Sequence, residues 1–186
     1  MRYRPWRLTA GSTLFLDRDG VLNRCVEAGF VGGKEAFAFL PGVLPALKTA
    51  AGLFRHIFVV TNQPAVGAGL MTEAELTALH TWMCKEIGAA GGRIDRVYSC
   101  TALKAARSFD RKPAVGMGLR AQREFPDVVF ADAFMAGDTR TDMAFGYRLG
   151  MHTVLIGANP AALAPPCLVE RRYDSLAEFI ETIATI

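Results

Sequence analysis

Short apolar runs alternate with amphipathic stretches along this chain. "STLFLD" (12–17) is apolar until it ends at charge. "VLPALKTAAGLF" (43–54) has helical spacing, which predicts Leu44, Leu47, Ala51 and Phe54 on one face. "HIFVVT" (56–61) is rich in β-branched residues and ends at a polar turn, which predicts a strand. Thr72-Glu73-Ala74-Glu75 reads as a capping box opening a helix whose apolar face is Leu76, Leu79, Met83 and Ile87, stopped by Gly91-Gly92. "RIDRVYSC" (93–100) is a third strand. Pro113 sits where a first-turn proline would begin a helix running to Phe125. "FMAGD" (134–138) is a fourth strand, "TRTDMAFGYRLG" the helix behind it and "HTVLIG" (152–157) a fifth strand. Ser175-Leu176-Ala177-Glu178 reads as a second capping box, with Leu176, Phe179, Ile180 and Ile183 as the buried stripe of a last helix.

Strands alternating with helices imply an α/β fold: a Rossmann-like parallel sheet covered by helices on both faces. Ligands in such sheets bind beyond the carboxyl ends of the strands. There the sequence places Asp17-Arg18-Asp19, Thr61-Asn62-Gln63, Arg111-Lys112, and Gly137-Asp138 with Asp142 one turn later. The paired aspartates of "FLDRDGVLN" (15–23) repel each other, so a cation and a lysine are expected to share their site.

The 186 residues, 51% hydrophobic and 21% charged, suffice for one domain spanning 1–186 and exclude a disordered tail. No apolar run approaches the roughly 20 residues that span a bilayer, and "MRYRPWRLTAG" lacks the apolar core of a signal peptide. A cytoplasmic location is expected, without a membrane partner. The net charge of +3 is read as solubility and not as a nucleic-acid footprint, with Arg2, Arg4 and Arg7 as a solvated tail. Cys25, Cys84, Cys100 and Cys167 are far apart and expected to be reduced; His56, His80 and His152 are equally scattered.

Asp17, Asp19 and Asp138 are hard oxygen donors suited to Mg²⁺, Thr61 offers a hydroxyl and Lys112 a compact positive charge. Together they suit a phosphoryl group gathering charge in its transition state. A carboxylate can attack phosphorus, and a second one two residues on can protonate the leaving oxygen and later activate water.

With "DRDGVLN", "TNQPAVGAG", "RKP" and "GDTRTD" in order, the sequence resembles the haloacid dehalogenase (HAD) superfamily of aspartyl-phosphate phosphatases over residues 12–157. The match is to the small subfamily IIIA branch that contains heptose bisphosphate and histidinol-phosphate phosphatases. The resemblance implies Asp17 as nucleophile and Asp19 as general acid/base. It implies Mg²⁺ held by Asp17, the backbone carbonyl of Asp19, and Asp138. Thr61 and Lys112 would steady the phosphoryl group; Asn62, Gln63, Arg111 and Arg140 would meet the substrate; Asp142 would orient Lys112 or a metal-bound water. Family members often carry a zinc loop, Cys-x-His and Cys-x-Cys. In "SCTALKAARSFDRKP" Cys100 remains, but Ala102, Ser108 and Asp110 occupy the other positions, so no structural zinc is expected. Lys104 and Arg107 of that loop are candidates for a second anionic group of the substrate. Residues 24–40 are expected to form a short flap in a capless molecule.

The implied activity is Mg²⁺-dependent hydrolysis of a small phosphorylated metabolite, with heptose bisphosphate first and histidinol phosphate second. A polynucleotide 3′-phosphatase and a catalytically silent binding protein are the rivals. A monomer or weak homo-oligomer is expected.

Overall fold

The computed structural model describes residues 5–26 and 29–185; Arg2 and Arg4 of the basic cluster lie outside them. In chain order the elements are β1 (Thr13–Leu16), α1 (Val43–Leu53), β2 (His56–Asn62), α2 (Pro64–Gly67), α3 (Glu73–Ala89), β3 (Arg96–Cys100), α4 (Gly116–Glu124), β4 (Ala133–Gly137), α5 (Arg140–Leu149), β5 (His152–Ile156), α6 (Pro160–Leu163), β6 (Arg171–Tyr173) and α7 (Leu176–Ile183). The six strands form one sheet in the order β3-β2-β1-β4-β5-β6. Every pairing is parallel.

The strand period of two divides the core. Leu14, Leu16, Ile57, Val59, Phe134 and Ala136 point to the face covered by α1, α3 and α7. Phe15, Phe58, Val60 and Met135 point to the other, against Met117 and Ala121 of α4 and Phe145 of α5. Both faces are covered, as the alternation predicted. β1 lies centrally between β2 and β4, with Leu16 level with Val59 and Ala136. The next residues of β1 and β4 therefore emerge side by side at one edge.

Several boundaries differ from expectation. α1 buries Val43, Ala46, Leu47 and Ala50, while Leu44 and Ala51 are only half-buried. α7 packs against α1, and that contact selects the face. α4 begins at Gly116, because residues 111–115 turn instead: Ala114 N–H donates to Arg111 O and Gly116 N–H to Phe109 O. That turn directs Lys112 inward. The Thr72 capping box forms in full. At Ser175 only half forms: Ser175 Oγ accepts from Glu178 N–H, but the Glu178 carboxylate accepts from Asp174 N–H.

The 24–40 stretch returns on itself, with Arg24 N–H bonded to Ala38 O and Leu40 N–H to Leu22 O. Phe37 anchors it, edge-to-face with Phe39 and with Trp82 of α3. Glu27 and Ala28 of this stretch lie outside the described residues. Among the described residues, no helix is long and apolar enough to cross a membrane.

Candidate active site

The carboxyl edge of the sheet holds a cavity of about 200 Å³ lined by Asp17, Asp19, Thr61, Asn62, Lys112 and Asp138, with Cys25, Thr139 and Thr141 at its rim. Asp17 follows β1, and its N–H continues the ladder to Ala136 O at 2.9 Å. Its Oδ1 accepts from the N–H of Arg18 at 2.7 Å and pairs with Lys112 Nζ at 2.9 Å. Lys112 Nζ reaches Asp142 Oδ1 at 2.5 Å, and both side chains are buried. Asp142 is fixed in turn: its Oδ2 accepts from the N–H and hydroxyl of Thr139. Asp142 is thus ion-paired with the lysine.

Carboxylate oxygens of Asp17, Asp138 and Asp142 lie within 4.8 Å of one another. Three carboxylates face one ammonium, so negative charge is in excess. Burial first, then Asp142, pushes Asp17 up to about 8 against the opposing pull of Lys112. The same causes push Asp138 up to about 6. For Lys112, burial works against the charge, but Asp142 and Asp17 outweigh it and raise its pKa. Asp138 Oδ1 is buried without a hydrogen-bond partner among the described residues. An orphaned carboxylate oxygen beside a second carboxylate suits a hard divalent cation. Gly20, with φ +80°, permits this approach: a Cβ there would overlap the Asp138 carboxylate.

Asp19 belongs to a separate layer. Arg18 Nη2 donates to both its oxygens at 2.9 Å, Asn23 Nδ2 to Oδ1 at 2.9 Å and Gln63 Nε2 to Oδ2 at 2.8 Å. Its carboxylate is therefore not in the acidic cluster. Gln63, expected at the substrate, is 3% exposed and also bonds Thr61 Oγ1, so it braces two site residues from behind. Asn62 clamps Lys112 by its backbone: Nδ2 donates to Lys112 O, and Oδ1 accepts from Lys112 N–H. Arg140 is not brought to the cavity; its guanidinium donates to Ala164 O and Pro165 O beyond α6. Arg111 donates to Ala102 O and lines a second cavity of about 440 Å³.

This second cavity shares Asn62, Lys112 and Thr141 with the first and so adjoins it. Lys104, Arg107, Arg111 and Arg148 line it, and among the described residues no carboxylate does. Sequence reading missed Arg148, an exposed residue whose surface position carries no local signal. It also missed Arg18 and His80. There a signal existed: His80 interrupts the apolar stripe of α3, and a polar residue within a buried face needs a partner.

The profile of the HAD-hydrolase-like family matches residues 109–166. The D-glycero-alpha-D-manno-heptose-1,7-bisphosphate 7-phosphatase of Mycobacterium bovis is 33% identical over 172 residues, covering 89% of this chain and 88% of its own. The chain belongs to the HAD-like heptose bisphosphate phosphatase family. The beta-anomer enzyme of Rhodopseudomonas palustris, another member of that family, is 35% identical over 144 residues, covering 74% of this chain and 78% of its own. The D,D-heptose 1,7-bisphosphate phosphatase from B. bronchiseptica, crystallised with magnesium and phosphate, superposes with a TM-score of 0.84 at 27% identity, covering 94% of this chain and 98% of its own. The four motifs that carried the resemblance thus sit on the elements a HAD-like phosphatase requires, at the ends of β1, β2 and β4 and in the turn before α4.

Proposed function

We propose that this chain is a Mg²⁺-dependent phosphomonoesterase that removes one phosphate from a heptose 1,7-bisphosphate through an aspartyl phosphate on Asp17. The observation that carries this reading is the pairing of two sites. An acidic cluster with an orphaned carboxylate oxygen adjoins a cavity lined by cations. The first suits a phosphoryl group presented with a metal; the second suits another phosphate on the same molecule.

Asp17 Oδ1 takes both described donors, which leaves Oδ2 as the attacking oxygen. Thr61 Oγ1 accepts from Gln63, so its proton is available to a phosphoryl oxygen. Lys112, anchored by Asp142, faces the same group. Asp19, held by Arg18, Asn23 and Gln63, supplies the proton to the departing alkoxide and later takes one from water. Asp17 and Asp138, with the backbone carbonyl of Asp19, would hold the metal, and the metal would neutralise phosphoryl charge. Arg111, Lys104, Arg107 and Arg148 would bind the second phosphate.

No structural zinc is involved: the Cys100 thiol donates to Ser108 Oγ, which also accepts from Asp110 N–H. The chain works as one domain over 1–186, a monomer or weak homo-oligomer of the cytoplasm, without nucleic-acid or membrane partners. The 24–40 stretch is the cover of the site.

Phosphate release from heptose 1,7-bisphosphate, histidinol phosphate and a 3′-phosphorylated oligonucleotide, each with Mg²⁺ or with EDTA, tests the reading. Mg²⁺-dependent release of a single phosphate from the bisphosphate, with phosphorus NMR locating the loss at C7, is the expected result. Preference for either other substrate, or well-folded protein with no metal-dependent release, would overturn it.

A further inference from the structure

Arg18 is fully buried, at 0% exposure, and its guanidinium joins two elements. One edge donates to the Asp19 carboxylate. On the other side Nη1 lies 3.1 Å from Nε2 of His80, 62 residues away on the buried face of α3. A guanidinium only donates, so Nε2 must be the acceptor. That assigns His80 as the neutral imidazole with its proton on Nδ1. Burial and the Arg18 charge push its pKa down to about 4, consistent with that state.

We propose that His80 is a positioning residue: by accepting from Arg18 it aligns the guanidinium, and through it Asp19, for proton transfer to the leaving group. The inference rests on the phosphatase reading above. Without the acceptor a buried N–H is orphaned. The guanidinium is then anchored through Asp19 alone, and only Asn23 and Gln63 still fix that carboxylate from independent positions. Asp19 stays near the site but loses its set direction. Help from a general acid matters most when the leaving group is a poor one. A sugar alkoxide needs the proton; p-nitrophenolate departs without it. Damage transmitted through Asp19 is therefore selective between these substrates in the step that expels the leaving group, whereas the later attack of water on the shared aspartyl phosphate, and general loosening of the fold, affect both alike.

The test compares His80→Met with His80→Gln. Both side chains are unbranched and helix-compatible. Gln offers a carbonyl oxygen near the reach of Nε2; Met offers no comparable acceptor. With Mg²⁺ present, kcat/KM of His80→Met on the heptose bisphosphate, which reports the steps up to departure of the leaving group, is expected to fall at least about tenfold more than on p-nitrophenyl phosphate. His80→Gln is expected to recover most of that difference. Circular dichroism and melting curves check the fold; should Met not fold, His80→Asn, whose amide falls short of Arg18, takes its place. Equal losses on both substrates, no loss on either, or Gln no better than the acceptor-less variant would overturn the role of His80 alone. Wild-type protein that cleaves neither substrate would overturn the phosphatase reading, and this inference with it.

Discussion

At the residue scale, the chemistry turns on carboxylates placed where their charge is costly. Asp17 is held up near 8 by burial and by Asp142, even with Lys112 beside it. Replacing Asp17 with Asn removes the nucleophile but also a buried repulsive charge. Asp17→Asn should therefore lose turnover by at least about three orders of magnitude. Without metal it should melt no lower than wild type, which assays of phosphate release and calorimetry would show. Gly20→Ala is expected to do the opposite. Its Cβ meets Asp138 and its φ is +80°, so it should destabilise the protein by at least about 1 kcal/mol and weaken Mg²⁺ binding, as read by denaturant and metal titrations. His80 gives a pH signature. Its pKa is lowered, to about 4 from 6.5, so the unfolded chain takes up the proton first. Its stabilising contribution is present above pH 6.5 and is lost as pH falls toward 4. Urea unfolding should show wild type losing up to roughly 3 kcal/mol more than His80→Gln across that window.

At the scale of elements, β1 and β4 place Asp17 and Asp138 together, because Leu16 is level with Ala136 in a parallel pair. α3 braces the site from behind through His80, and its start is fixed by the Thr72–Glu75 box. Thr72→Ala should cost about 1 kcal/mol of stability, measured by chemical unfolding. The strands and the longer helices were legible because an apolar period of two or near 3.6 survives in the linear sequence. The short pieces α2, α6 and β6 were not, since three or four residues carry no period. The face of α1 was legible in part: Leu47 and Phe54 are buried as expected, but Leu44 and Ala51 lie at its margin because the apolar residues outnumber the positions that α7 can cover. Pro113 suggested a helix start, yet the chain needs a turn there to deliver Lys112. The motif aspartates and Thr61 were legible as residue types at strand ends, and Lys112 as a cation just before a helix. What Gln63, Asn62 and Arg140 bond to was not, because those partners are set by packing across the sheet.

At the scale of the whole molecule, the acidic cluster sets metal dependence against pH. Asp17 and Asp138 have raised pKa values, about 8 and about 6. Their protonated forms favour the metal-free fold, so that contribution is present below about pH 4 and is lost as pH rises through those values. Mg²⁺ should therefore raise the melting temperature more at pH 8 than at pH 6; equal shifts would contradict the linkage. The adjoining cationic cavity sets substrate choice. Arg107→Glu should raise KM for the bisphosphate at least about tenfold, and far more than KM for p-nitrophenyl phosphate. The covalent step at Asp17 is open to direct observation. Acid quench within the first turnover of heptose bisphosphate with Mg²⁺, followed by mass spectrometry of the peptide carrying Asp17, should find a phosphoryl group on that side chain. Turnover without any phosphoryl on Asp17, or with phosphoryl on another residue, would contradict the account.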